Sequence, residues 1–326
     1  ATGSEAPGTE ALDLMEARYA DALATPLLGS SSPTRAAPWL GPAQRDLAES
    51  ALCRLPGFFS APGLAALVAE VRRDLLPRLQ PTVAGDGGTF LPGRAFPQHS
   101  LLRQLFDSEE MEALVSALYG QPLYRSIDLD RALNLSVYRS GDSFGAHFDE
   151  NACVVSLPLL TSEHGGEFQW APFCHQGDDR AADGHEMSDT ELEAAVGVIE
   201  RIFGDFPADS PRPPSDRRPP VVSGDGGDGS LAAEVRTHPV VAGEMLLFNG
   251  RRSLHRVCTV GAEWRDGTVP GFHAERIVPG QLRVAALFSY SRQPGYWWEH
   301  VRDRNEDLDP GYAEGVLPQY LGNPPT

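Results

Sequence analysis

The sequence predicts a mainly β protein with flanking helices, built on a double-stranded β-helix core of the jelly-roll, cupin-like kind. Three observations predict it. Up to Gly120 the apolar residues recur at helical spacing. From Ala132 onward the period shortens to two. The later half then supplies many short apolar runs separated by Gly-containing turns. Helices first and short antiparallel strands afterwards suit a barrel with a helical flank.

The elements follow in order. Residues 1–41 are rich in Ala, Gly, Ser and Pro and read as an N-terminal arm, with one amphipathic helix at 12–23. Residues 42–120 read as the helical flank. A helix is expected at 42–53. Ser60 is an N-cap candidate for the next, with Leu64, Leu67, Val68, Val71 and Leu75 on one face and Pro77 to stop it. Residues 83–93 read as a Gly-rich loop. Ser108 caps a further helix through Leu114, Val115 and Leu118, and Gly120 closes it.

Residues 121–326 read as the β core. Leu133, Leu135 and Val137 alternate with Asn134, Ser136 and Tyr138, the pattern of a half-buried strand at 132–139, and 140–142 is a turn. Further strands are expected at 153–160, 167–170, 244–248, 254–260 and 283–290. A partly mobile insertion at about 175–235 interrupts them. Within it 187–203 looks helical, and 205–230 is dense in Pro, Gly, Asp and Ser. A loop this long is unusual in a compact domain and reads either as solvated chain or as a lid.

Composition limits the functions available. Of 326 residues, 41% are hydrophobic, enough to build a core. A net charge of −18 argues against nucleic acid as a partner, because phosphates repel so acidic a surface. No run approaches the roughly 18 apolar residues of a membrane span. The start has no basic stretch leading into an apolar one. Cys53, Cys153, Cys174 and Cys258 form no CxxC pair and read as free, mostly buried thiols, so a cytoplasmic location is the expectation. Every one of the 27 basic residues is arginine.

The chemistry lies in 138–150. His147 and Asp149 stand two apart, so on a strand both face the same way and reach one metal ion. His255, following the strand at 244–248, supplies a third ligand. Two imidazoles and one carboxylate make the facial triad of non-haem Fe(II) oxygenases, which leaves coordination positions open. Two of these suit a bidentate 2-oxo acid and the third O2. Arg283 opens the last strand, and its guanidinium can grip the distal carboxylate of such an acid with two parallel hydrogen bonds.

These stretches together resemble the 2-oxoglutarate- and Fe(II)-dependent dioxygenases. The resemblance rests on Leu-Asn-Leu-Ser-Val-Tyr at 133–138, His-Phe-Asp-Glu at 147–150, Gly-Gly-Glu-Phe at 165–168, Gly-Glu-Met-Leu-Leu-Phe at 243–248, Leu-His-Arg-Val at 254–257 and the segment 283–294. It spans roughly 120–295 without the insertion. Within that superfamily the chain looks most like the bacterial group that halogenates or hydroxylates free amino acids, lysine especially. The halogenases carry Gly or Ala where Asp149 stands, and the vacancy takes halide, so the resemblance implies oxygenation here.

It further implies Fe(II) and 2-oxoglutarate as cofactor and co-substrate, with O2, and hydroxylation of an unactivated C–H bond in an amino-acid-like small molecule of secondary metabolism. Desaturation, ring closure, a peptidyl (prolyl-type) hydroxylase and a non-catalytic cupin-like binder remain open, as do monomer and homodimer. Asn134 and Tyr138 share a face of their strand and are expected to line the co-substrate site, Tyr138 against the 2-oxoglutarate. Glu150 and Asp130 are expected near a substrate ammonium, Arg94 near a substrate carboxylate, and Trp297 and Trp298 as a pocket wall. Leu287 and Ser289 should face inward with Arg283. The remaining histidines read as surface or structural.

Overall fold

The protein was analysed as a computed structural model, which describes residues 13–24, 37–79, 88–126, 129–149, 151–174, 235–263, 276–292 and 294. Thirteen strands are found among them. These are β1 (Leu52–Leu55), β2 (Thr89–Pro92), β3 (Tyr124–Arg125), β4 (Leu133–Arg139), β5 (Phe144–His147), β6 (Cys153–Leu160), β7 (Phe168–Ala171), β8 (Arg236–His238), β9 (Met245–Phe248), β10 (Leu254–Val257), β11 (Ala262–Glu263), β12 (Arg276–Ile277) and β13 (Leu282–Ser291). The larger sheet runs β1-β9-β6-β13-β4-β2, with β3 beside β13. A four-stranded sheet runs β5-β10-β7-β8, and β11 pairs with β12. All these pairings are antiparallel.

The pleat sorts side chains onto two faces of the large sheet. Along β13, Val284, Ala286, Phe288 and Tyr290 join the main apolar core, which lies between this sheet and the helices. Arg283, Ala285, Leu287 and Ser289 occupy the opposite face, toward the small sheet. A second apolar cluster bridges the sheets, with Val154, Leu246 and Phe248 of the large one packed on Phe168 and Trp170 of the small one. The expected double-stranded β-helix is therefore present, and its interior is the space between the sheets.

The helical flank is assembled from capped segments. Ser60 accepts a hydrogen bond from the Gly63 amide at 3.0 Å and starts Ala61–Glu70. Ser108 accepts from the Met111 amide at 3.2 Å and starts Glu109–Tyr119, which Gly120 ends at φ 78°. Between them lies Leu101–Asp107, capped by Ser100, a helix the sequence did not announce. Glu70 reaches its first turn and accepts from the Leu101 amide at 2.9 Å and the Leu102 amide at 3.3 Å.

Other expectations need correction. The helix placed at 42–53 is Leu40–Ser50; Ala51 turns left-handed at φ 58°, and the chain leaves as β1 to pair with β9. That strand is imposed by a partner from the far end of the chain, which local spacing does not reveal. The helix placed at 12–23 is Ala17–Ala24; Leu14, Met15 and Tyr19 are buried, and Met15 bridges to Phe59, so this segment packs into the core. The loop placed at 83–93 contains β2, an edge strand whose last residue is Pro92, where a missing N–H costs no ladder bond. Cys53, Cys153, Cys174 and Cys258 are free thiols, and all but Cys174 are buried. No helix among the described residues is long and apolar enough to cross a membrane. Most of the insertion at 175–235 lies outside the described residues.

Phe288 tests the outer core. It is fully buried, and its ring centroid stands 5.4 Å from that of Phe106. Phe288→Ala should cost about 3–5 kcal/mol of stability, read as a lower urea midpoint at unchanged slope. A loss below about 1 kcal/mol would contradict the packing described.

Candidate metal centre

Antiparallel pairing of β5 with β10 sets His255 opposite His147. The two imidazole centroids are 4.1 Å apart. Asp149 follows where the chain has left β5, and its amide donates to the Gly250 carbonyl at 3.1 Å. The carboxylate then lies between the rings, with Oδ1 3.6 Å from His147 Nε2 and Oδ2 3.4 Å from His255 Nε2. One candidate ligand atom from each of the three residues lies within 4.8 Å of the others.

Both rings are oriented in the same way. His147 Nδ1 contacts the Gly145 carbonyl at 2.8 Å, and His255 Nδ1 contacts the Ser253 carbonyl at 3.0 Å. A carbonyl only accepts, so each Nδ1 carries the proton and each neutral Nε2 presents a lone pair toward Asp149. Aromatic rings hold the imidazoles in place: Phe144 lies 4.6 Å from His147, and Phe248 lies 4.9 Å from His255, centroid to centroid.

Gly250 is required here by a close approach. A Cβ on it would stand 1.8 Å from Asp149 Oδ2. The only residue type that fits is the one without a side chain.

The electrostatics is that of a cation site. Burial pushes the Asp149 carboxyl up, but the two imidazoles outweigh it and hold the group well below the usual carboxylate range. Burial, then the nearby His255, lowers the pKa of His147. For His255 burial acts downward, and the Asp149 carboxylate outweighs it, so its pKa is raised. Asp149 Oδ2 is nonetheless buried with no hydrogen-bond partner. An ionised oxygen left so is costly unless a cation meets it. Two neutral nitrogens and one carboxylate oxygen suit a divalent first-row metal with open positions.

Arg283 lies deeper in the same interior. It pairs in register with Tyr138, and its guanidinium stands 5.3 Å over that ring. Tyr138 packs with Val257 and Val260, against Phe90 and Phe144. Val257 follows His255 by two residues on β10, so the two point the same way about 7 Å apart. Burial lowers the Arg283 pKa. No carboxylate among the described residues pairs with it, and its Nε is buried without a partner.

The other expected site residues fall into three groups. Asn134 faces inward opposite Leu287, and Ser136 donates to its Oδ1 at 3.3 Å. Ser289 is buried and donates to the Arg131 carbonyl at 3.4 Å. Arg94 and Asp130 form an ion pair with each other on the surface. Glu150, Trp297 and Trp298 lie outside the described residues. Sequence reasoning missed Gly250 as a spacer, and missed Gly145 and Ser253 as orienting carbonyls. The last two did leave a signal: each stands two residues before its histidine.

No protein-family model matches the chain, and no curated protein matches it. Among solved structures it is similar to a non-heme alpha ketoglutarate dependent carbocyclase, SnoK, from nogalamycin biosynthesis, at 16% identity over 83% of this chain and 91% of that one, with a TM-score of 0.50. An oxidoreductase of the 2OG-Fe(II) oxygenase family from Burkholderia pseudomallei matches at 14% identity over 78% and 91%, TM-score 0.46. A Pseudomonas putida prolyl-4-hydroxylase matches at 16% over 77% and 100%, TM-score 0.40. The likeness to the carbocyclase is one of fold, and it agrees with the two-sheet barrel.

Gly250→Ala tests the cradle. The added methyl should push the Asp149 carboxylate aside and weaken Mn(II) binding at least tenfold by calorimetry, with an unchanged far-ultraviolet spectrum. Undiminished affinity would remove Asp149 from the metal site.

Proposed function

We propose that this chain is an Fe(II)- and 2-oxoglutarate-dependent oxygenase that oxidises an unactivated C–H bond of a small molecule. The observation that carries this reading is Arg283, a buried arginine with no acidic partner among the described residues, on the inner face of a barrel whose other end gathers His147, Asp149 and His255. A buried unpaired cation is costly, and an arriving carboxylate offsets that cost. Tyr138, which lies under the guanidinium, packs with Val257, two residues along β10 from His255, so the guanidinium and the ligand cluster belong to one interior.

His147, Asp149 and His255 would hold the iron. Iron bound there would supply the oxidative chemistry: O2 and 2-oxoglutarate are consumed, succinate and carbon dioxide are released, and a substrate C–H bond is oxidised. The chain's own residues do the rest. Arg283 binds the distal carboxylate in a bidentate grip, and the Tyr138 ring restricts where the guanidinium lies. Tyr138 and Asn134 line the co-substrate chamber. The Gly145 and Ser253 carbonyls keep the imidazole protons on Nδ1. Phe144, Phe168 and Phe248 keep water from the rings.

Hydroxylation of an amino-acid-derived metabolite is the finer reading, with Glu150, Trp297, Trp298, Leu287 and Ser289 toward the substrate. One observation favours a second reading on substrate. Asp130 and Arg94 pair with each other, so an amino-acid zwitterion would have to compete with that pair for either charge. A less polar small molecule, oxidised by hydroxylation, desaturation or ring closure, fits that pairing better.

Two measurements follow from these roles. Arg283→Ala should raise the half-saturating 2-oxoglutarate concentration about tenfold to over a hundredfold, in succinate release, while Mn(II) affinity holds. A half-saturation point that does not move would assign the distal carboxylate to another residue. The unmutated enzyme, turned over in chloride or bromide buffer, should give no halogenated product by mass spectrometry, because Asp149 occupies the position halide needs. A halogenated product would show that Asp149 is not a ligand.

A further inference from the structure

A cavity of about 90 Å³ lies at the end of the barrel away from the metal ligands. The topology places it there. β6 begins at Cys153, just after Asp149 and Asn151, and ends at Leu160 beside Val284, the neighbour of Arg283. The 161–167 loop after β6 therefore closes the barrel at the Arg283 end. Thr161, Ser162, Glu163, Gly166, Glu167 and Arg283 line the cavity, with Val240 on its far wall.

Arg283 is thus the partition between two spaces. One face looks up the barrel toward the metal ligands; the other borders the cavity. The stem of the side chain is closely fitted: a Cβ on Gly166 (φ 76°) would stand 3.2 Å from Arg283 Cδ and 3.2 Å from Val260 Cγ2. The head is held more loosely, with the Tyr138 ring centroid lying 5.3 Å from it. No acidic side chain among the described residues pairs with it, and Nε has no hydrogen-bond partner. The residues that line the cavity behind it include several that carry oxygen acceptors, among them Thr161 and Glu167. A cavity of this size admits several waters, room enough for a guanidinium to move back by the length of one methylene.

We propose that Arg283 is a movable end-stop, and that this oxygenase therefore accepts as co-substrate a 2-oxo diacid one methylene longer than 2-oxoglutarate. This rests on the reading that Arg283 binds the distal carboxylate. The shorter acid meets the guanidinium in its forward position. The longer one displaces it into the cavity, where the loop acceptors receive its N–H groups and displaced water leaves to solvent. A rigid end-stop would discriminate against one extra methylene by about ten- to two-hundredfold. A movable one loses most of that discrimination.

The test is equilibrium binding, by calorimetry, of 2-oxoglutarate and 2-oxoadipate to the full chain loaded with Mn(II) under anaerobic conditions. The wild type should bind the two acids with Kd values within about fivefold. Val240→Phe, which fills the cavity from the far wall, should leave the 2-oxoglutarate Kd within about twofold and weaken 2-oxoadipate at least tenfold. Should that variant not fold, Thr161→Leu narrows the same cavity and carries the same expectation. Wild-type binding of 2-oxoadipate more than fiftyfold weaker than 2-oxoglutarate would overturn the end-stop alone. Equal weakening of both acids by the filling variant would do the same. Binding of neither acid would overturn the Arg283 assignment and, with it, this inference.

Discussion

The register between β5 and β10 is the constraint on which the metal end of the molecule depends. Because His255 is the cross-strand partner of His147, two imidazoles from distant parts of the chain lie 4.1 Å apart. A slip of one residue would turn one of them out of the interior, since side chains alternate faces. The same pairing brings the turn after β9 against the chain after β5. There the Gly250 carbonyl takes the Asp149 amide, and the missing Cβ of Gly250 admits the carboxylate. One backbone pairing and one absent side chain thus place all three candidate ligands.

The large sheet lets this polar interior exist without sacrificing stability. Its outer face is covered by the helices and forms the main apolar core, so the barrel interior need not supply the folding energy. β13 shows the division most clearly. Phe288 and Tyr290 lock it to the helices, while Arg283, five residues before Phe288, is buried on the other face with no acidic partner among the described residues. A buried cation without a carboxylate would be a liability in a purely structural barrel. Under the proposed function it would be the element that recognises a dicarboxylate.

Much of this was legible before the structure. Strand alternation at 133–137 and the apolar run at 153–160 located β4 and β6 closely, and Ser60, Ser108 and Gly120 marked helix ends by local hydrogen bonding alone. His147, Asp149 and His255 stood out as metal-ligating residue types, and the fold brings the three together although Asp149 lies just past β5. What escaped is what depends on distant partners. β1 is a strand only because β9 lies beside it. Gly250 looks like any turn glycine until the Asp149 carboxylate is placed against it. Asp130 was expected near a substrate ammonium and Arg94 near a substrate carboxylate; in the fold the two pair with each other, a contact that local spacing does not reveal.

The central claim is that one iron and one 2-oxo acid meet between His147, Asp149 and His255, with Arg283 at the far end. The most direct measurement is an anaerobic titration of the metal-free protein with Fe(II) and 2-oxoglutarate, followed by visible absorption. The account predicts a weak metal-to-ligand charge-transfer band that needs both components, saturates at one of each per chain, and is lost in His255→Ala. No band in the wild type, or an undiminished band in His255→Ala, would contradict it.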